Sequence, residues 1–540
     1  MKTKLLLGIT TALLLFPKEN FAQAPNMGTV SNFALFTSVG AVNINGISQL
    51  TGNIGTNNGS TTVFVNVNGN IYDQDGASGQ CTTDLLSLYN QLNSTTPTFS
   101  IAPSLGNGQN LVAGVYHIAG ASTLNLDLTL NAQGNANAIF IFQIQGALST
   151  GTNAKVKLSN GAQACNVFWK VEGTVGMAAG TTMRGTVIAN NQAITMNTND
   201  TLEGRALSTS GAVTVSGSMV YTPVGCNSIL LTGPMAPTLA STACYAIFSS
   251  NGPVANGDTV TVVTGNIGTN VGLTTNYDTL KVNGKVHPIP DGSTSQCAAD
   301  LGNVYTYLNT LTPDIELMYP PKFGMNLVLT PHIYVMNGAV TFTDTIYLNG
   351  MGNANAVFVI QVFGAFATST HSKVILTNGT QAKNVYWDIN GAVSINDYSV
   401  FNGTLIANNG AISLAKGVIL NGRVFSTTGA VHTVADTVTI PTTTGCQLSG
   451  IAVLGTVNKT ATIYPNPFNT SATININDVL QINNCELKIY NVFGAEVLSL
   501  AVTQQVTTLE TSNLSSGVYF YKIINNNNKT IQSGKLISQQ

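Results

Sequence analysis

The sequence predicts an all-β protein with minor α content: two tandem β-solenoid bodies, each flanked by one α-helix, and a small C-terminal β-sandwich. Three observations predict it. Hydrophobic residues make up 44% of the 540 positions and charged residues only 8%, with 53 glycines. Helix-forming Glu, Lys and Arg are therefore scarce, while β-branched residues and turn-forming Gly and Asn abound. The chain also repeats itself. "GNANAIFIFQI" from Gly134 returns as "GNANAVFVIQV" from Gly352, "NGAQACNVFWKV" from Asn160 as "NGTQAKNVYWDI" from Asn378, and "GTVIANNQAI" from Gly185 as "GTLIANNGAI" from Gly403, at a constant offset of 218 residues. Inside each copy a shorter period runs, and rows of 19 align Val175, Ile194 and Val213 in one column with Met177, Met196 and Val215 two places on. Apolar residues that alternate along a row and stack between rows describe coils, each burying its inward column against its neighbours. An unrelated sandwich would not keep one fixed period.

Each element follows in order. Lys2 and Lys4 precede the apolar run Leu5–Phe16, and Ala22-Gln23-Ala24 offers an A-x-A cleavage site, so residues 1–24 read as a secretion signal. The run is shorter than the roughly 20 apolar residues that span a bilayer. Copy one occupies 25–227, beginning its internal matches with "TGNIGTNNGSTT" at Thr51; copy two occupies 240–446, with "TGNIGTNVGLTT" at Thr264. One amphipathic stretch interrupts the strands of each copy, "TTDLLSLYNQLN" from Thr82 and "AADLGNVYTYLN" from Ala298. Leu85, Leu88, Tyr89 and Leu92 fall at helical spacing, so a helix packs along the solenoid flank. Residues 447–460 form a linker, and 461–540 read as hairpins of a small sandwich.

Export permits disulfides among the seven cysteines, and the odd count leaves at least one unpaired. Cys81 matches Cys297 and Cys226 matches Cys446 across the copies, and that symmetry suggests the pairs Cys81–Cys226 and Cys297–Cys446. Cys165 faces Lys383 in the other copy, so any bond it makes is peculiar to copy one, with Cys244 a candidate partner.

The net charge of −2 and the lack of any basic run remove the electrostatic footprint of nucleic-acid binding. Catalysis finds little support either. His117, His287, His332, His371 and His432 are scattered, without metal-ligand spacing, and no nucleophile elbow, phosphate loop or dinucleotide fingerprint stands out. No cofactor is implied. "DQDG" from Asp73 has "PIPDG" as its counterpart and reads as a solvated turn rather than a calcium loop. Arg184, Arg205 and Arg423 read as caps of coil edges or partners of acids such as Glu203, and Trp169 and Trp387 as core.

The ordered set GNANA, apolar strand, NGAQACNVFW, GTVIA and GRALSTSGAVT resembles the ice-binding protein domain family, twice over and along most of each copy. The resemblance implies a triangular right-handed β-helix with one long flanking helix, a surface that binds ice, and an outcome of inhibited ice growth or recrystallisation or of cells held to ice. Tyr464-Pro465-Asn466-Pro467, "IYNVFGAEV", "LSSGVYFYKI" and the closing Lys535-Leu536-Ile537 resemble the C-terminal sorting domain of the type IX secretion system. That likeness implies passage through the secretion machinery, then release or attachment to surface lipopolysaccharide.

An ice-binding coil stack needs a flat, uncharged wall, because charged groups hold tight hydration shells and strand spacing of about 4.7–4.9 Å lies near the repeat of water in ice. Two outward columns qualify. Before the inward apolar residue stand Ala147, Thr174, Ala193 and Ala212 in copy one and Ala365, Ala392, Ala411 and Ala430 in copy two. After it stand Ser149, Gly176, Thr195 and Thr214, and Ala367, Ser394, Ser413 and His432. His432 departs from the small-residue pattern. The other reading, that Ala and Thr merely suit a tight coil, stays open at this point, as does the use of the same scaffold by an adhesin or structural module binding glycan or protein.

Overall fold

The computed structural model describes residues 24–225, 230–441, 461–476, 485–525 and 530–539. The expected signal (apart from residue 24), the linker, Cys226 and Cys446 lie outside these. The chain divides into two compact units, 1–450 and 451–540, and both solenoids belong to the first.

Each solenoid is built from parallel strands, and each carries an eight-stranded sheet and a fourteen-stranded sheet. The larger sheet wraps two sides of the coil, because single long strands, Thr182–Ala189 and Thr201–Ser208, run over the corner between them. Glycine makes that bend possible: Gly185 has φ +104°, and a Cβ on Gly204 would lie 1.8 Å from the Gly185 carbonyl oxygen. The three sides therefore come from sequence alternation plus glycine at one stacked corner.

Chain order and stacking order differ. In the first solenoid the helix-side strands stack as Ile71–Asp73, Asn53–Thr56, Phe33–Thr37, Thr201–Ser208, Thr182–Ala189, Val167–Val171, Phe140–Ile144, Gly114–Ile118 and Phe99–Ser100. The N-terminal coils thus sit on the last coil, with Leu35 opposite Ala206. The chain then returns to the far end of the stack, about 38 Å away at about 4.8 Å per coil. Helix α1, Gly76–Ser94, makes most of that journey at about 28 Å. Helix α2, Gly292–Thr310, does the same in the second solenoid.

Both helices begin six residues before the amphipathic stretches read from sequence. The reason is a capping box: Asp75 accepts from the Ser78 amide at 2.8 Å while the Ser78 hydroxyl accepts from the Asp75 amide at 2.8 Å. Asp291 and Thr294 repeat it in α2. The "DQDG" turn is thus structural on both counts, since Asp73 accepts from the Thr61 amide at 2.7 Å and hydroxyl at 2.6 Å. Each helix buries an apolar stripe. Leu85, Leu88 and Leu92 of α1 pack on Ile141, Phe168, Ile188 and Leu207 of the sheet.

The pairs Cys81–Cys226 and Cys297–Cys446 are not formed. Cys81 and Cys297 are free, fully buried thiols on the inward stripes of α1 and α2. Their matching positions reflect a shared packing role as small apolar side chains, not a shared crosslink. Cys165 and Cys244 each take part in a disulfide bond.

Inside the coils, stacking brings like residues over like. Tyr116, Phe142 and Trp169 form a buried ring stack that the exposed Phe99 caps at the end of the solenoid, with successive centroids from Phe99 5.0, 5.2 and 3.9 Å apart. Trp169 and Trp387 are fully buried, as expected of core residues. Arg205 and Arg423 are buried too, each donating to a backbone carbonyl of the segment leading into its solenoid, Ser31 at 2.7 Å and Ala243 at 2.8 Å.

The coil of Val63–Asn68 at one end of the first solenoid seals against the coil that follows α2, at the opposite end of the second solenoid's stack. The Tyr334 hydroxyl donates to Asn68 at 2.7 Å, Asn68 donates to Thr330 at 3.0 Å, and the Tyr319 hydroxyl donates to the Val63 carbonyl at 2.6 Å. The terminal unit holds antiparallel sheets of three and four strands over a core that includes Phe468, Ile474, Leu487, Ile489 and Leu536.

Candidate functional site

The eight-stranded sheet of each solenoid carries no helix, since α1 and α2 pack on one of the two sides formed by the larger sheet. Its strands are three or four residues long for the most part and place one outward residue between two inward ones. In the first solenoid Val175 and Met177, Ile194 and Met196, and Val213 and Val215 point into the core, leaving Gly176, Thr195 and Thr214 outside.

The ladder is regular. Ser104 lies opposite Thr123, Thr123 opposite Ser149, Ser149 opposite Gly176, Gly176 opposite Thr195, Thr195 opposite Thr214, Thr214 opposite Asn43, and Asn43 opposite Thr62, with no register shift. Backbone bonds tie the preceding column in the same way. The Leu148 amide donates to Thr174, Val175 to Ala193, Ile194 to Ala212 and Val213 to Ala41, each at 2.9 Å. Ala147 stands before Thr174 in that column, its carbonyl accepting from Ser122 at 2.7 Å. All the outward positions read from sequence in copy one, Ala147, Ser149, Thr174, Gly176, Ala193, Thr195, Ala212 and Thr214, thus come together on one face.

Copy two gives the same geometry with other chemistry. Its middle column runs Thr341, Ala367, Ser394, Ser413, His432, Ala255 and Thr275. The preceding column runs Ala365, Ala392, Ala411 and Ala430 and continues through Pro253 and Leu273. Leu273 is exposed, and the His432 ring reaches towards Gly257. The second face is therefore bulkier at one end.

Sequence reading missed Ser104, Thr123, Asn43 and Thr62, and Thr341, Ala255 and Thr275. These strands lie outside the 19-residue rows, and Asn43 and Thr62 reach the face only because the N-terminal coils stack on the last one. A signal existed in the matched segments "NGSTT" and "VGLTT", which carry Thr62 and Thr275 in equivalent positions.

Charge is sorted by side. The first solenoid's third side pairs Lys157 with Asp127 at 2.6 Å and Arg184 with Glu203, so Arg184 partners an acid as the sequence suggested. At the corner between this side and the open face, the buried Asp200 carboxylate accepts from the Thr181 amide at 2.8 Å and the Asn197 amide at 2.7 Å. Burial nevertheless pushes its pKa up to about 6. The open face itself carries hydroxyl, methyl and amide groups, and neighbouring hydroxyls meet along it, with Thr123 and Ser149 3.0 Å apart. Such a surface offers hydrogen bonds at strand spacing without the tight hydration of ions. Among the described residues no group of three or more His, Cys, Asp or Glu could hold a metal ion.

Two repeated parallel coil stacks with this face define a class, and the comparisons agree. The Ice-binding-like family matches residues 36–221 and 247–439, and the chain belongs to that family. The secretion-system C-terminal sorting domain matches 462–539, so the protein is exported, to the medium or the cell surface. A crystal structure of an ice binding protein from an Antarctic Flavobacteriaceae bacterium is similar at 52% identity with a TM-score of 0.77, covering 79% of this chain and 100% of that one. The ice-binding protein of Nostoc sp. (strain HG1) is 33% identical over 198 residues, 36% of this chain and 72% of that protein. The ice-binding protein of Flavobacterium frigoris (strain PS1) is 27% identical over 215 residues, 37% and 76% of the two chains.

Proposed function

We propose that this is an exported, non-enzymatic ice-binding protein that adsorbs to ice crystals through the eight-stranded faces, limiting ice growth or recrystallisation or tethering cells to ice. The observation that carries the reading is the first solenoid's unbroken ladder from Ser104 to Thr62, free of charged groups and uncovered by the helix. Parallel strands hold its hydroxyls and methyls at about 4.8 Å, a spacing that can order water in an ice-like pattern. Ala147, Ser149, Thr174, Ala193, Thr195, Ala212 and Thr214, with Ala365, Ala392, Ser394, Ala411 and Ser413, are the contact residues of this reading. An adhesin would present aromatic platforms and carboxylates for glycan, and neither ladder contains Tyr, Trp or Asp. On export, the sorting domain hands the chain to the type IX machinery, and lipopolysaccharide is the attachment point if the protein stays on the cell.

Ice-affinity partitioning of the mature chain tests the function. Enrichment in a slowly grown ice phase, with an inert protein left in the liquid, is the expected result. Exclusion from ice, coupled to retention on a glycan array, would replace it with the adhesin reading.

A further inference from the structure

The terminal unit displays an aromatic side chain that its own fold does not use. Phe493 is 92% exposed, the most exposed large hydrophobic residue among those described, and Val492 beside it is 60% exposed. Both sit in the turn between the strands Cys485–Tyr490 and Glu496–Val502.

That turn is ordered without them. The Asn491 side chain accepts from the Phe493 and Ala495 amides, each at 3.0 Å. The Asn491 amide donates to the Ala495 carbonyl at 2.9 Å, and the Gly494 amide donates back to Asn491 at 2.9 Å. Gly494 has φ +81°, which glycine adopts without strain. Apolar character continues from the tip onto the outer face of the four-stranded sheet. There Tyr490 lies opposite Phe520, itself half exposed, and Lys522 rests 5.8 Å from the Tyr490 ring centre. The inner face, with Leu487 and Ile489, is fully spent on the core.

A rigid turn that holds an aromatic ring out in water has the form of an interface anchor, since a pre-ordered aromatic loses little freedom on docking. We infer that Phe493, with Val492, is the knob by which the sorting domain docks into an apolar pocket on a protein of the type IX export machinery. The occupant follows from the family match over 462–539, which makes export the business of this unit. Tyr490 and Phe520 lie on the adjoining outer face among Lys488, Glu496 and Lys522, so the ring is the knob's apolar core and mixed charges form its rim. The inference rests on the sorting-domain membership and is independent of whether the solenoids bind ice.

The test expresses the full chain in a host with a working type IX system and compares Phe493→Ser, Phe493→Leu and Val506→Ser. Val506 is a control, exposed on the other sheet. The expected result is at least a tenfold loss of exported protein for Phe493→Ser with periplasmic accumulation, recovery with Phe493→Leu, and no loss with Val506→Ser. Limited proteolysis of the accumulated Phe493→Ser chain should find the terminal unit as resistant as in the wild type. Unchanged export of Phe493→Ser overturns the inference. So does export followed by shedding from the cell, which would assign the knob to a surface anchor, and so does a protease-sensitive terminal unit, which would assign it to folding.

Discussion

The two solenoids place the same coil under the same helix and fill it differently. In the first, Lys170 is buried beneath α1, pairs with Glu172 and lies 5.5 Å from the centre of the Tyr89 ring. Glu172 also accepts from Tyr89 at 2.6 Å and Asn190 at 2.7 Å. Although burial works against its charge, these bonds and Lys170 hold its pKa below the usual range. In the second solenoid Asp388 replaces Lys170 and Asn390 replaces Glu172. Tyr305 donates to Asn390 at 2.9 Å and Asn408 donates to Tyr305 at 2.7 Å, so the tyrosine–asparagine frame survives. Asp388 is left fully buried, with neither carboxylate oxygen hydrogen-bonded, and burial pushes its pKa up to about 7. The difference teaches that the backbone ladder and the inward columns specify this fold. The helix-side groups and the open face are free to diverge.

The largest expected effect breaks the comparison at Asp388. Its folded pKa lies above the ordinary 3.8, so the carboxyl is neutral in both states below pH 4. As pH rises towards 7 the unfolded chain ionises first and stability falls, levelling off above 7. A shift of this size corresponds to about 4 kcal/mol. Asp436, raised to about 7 by burial, adds to the same trend. Calorimetry between pH 4 and 8 should find the second solenoid losing stability with pH more steeply than the first, and Asp388→Asn should flatten that slope. Equal slopes for wild type and Asp388→Asn would contradict the assignment.

Next in size, Glu172→Ala leaves Lys170 buried without its anion. Glu172 is about a quarter exposed, so the cost should be about 2–3 kcal/mol, below that of a fully buried pair. Denaturant unfolding checks it, and the matched Asn390→Ala should cost less, since only neutral hydrogen bonds are lost there.

Smaller effects sharpen the comparison of the faces. Thr123→Val removes the 3.0 Å contact with Ser149 and should cost about 0.5–1 kcal/mol in stability. His432→Thr makes the second ladder resemble the first and should strengthen adsorption by roughly twofold, about 0.4 kcal/mol. Fluorescence of labelled chains on a growing ice surface would register that gain.

Much of this was legible in the sequence, for physical reasons. Stacking forces a fixed column spacing, so Val175, Ile194 and Val213 announced the coils, and Trp169 and Trp387 announced the core by sharing a row position. The outward positions followed by alternation. Coil order was not legible, because a parallel ladder pairs Asn43 with Thr214 across 171 residues and no local pattern encodes that choice. The helix starts were missed because the capping aspartates precede the amphipathic stretch. Cys81 and Cys297 misled because symmetry marks shared packing as readily as shared bonding.

The most direct measurement is thermal hysteresis of the full chain carrying Thr195→Tyr and Thr214→Tyr together. Both side chains point outward at the middle of the first ladder, so the rings add bulk to the face without entering the core. The account predicts that hysteresis from the first face is lost while the melting temperature stays within a few degrees of wild type. Hysteresis equal to the wild-type value, with the fold intact, would contradict it.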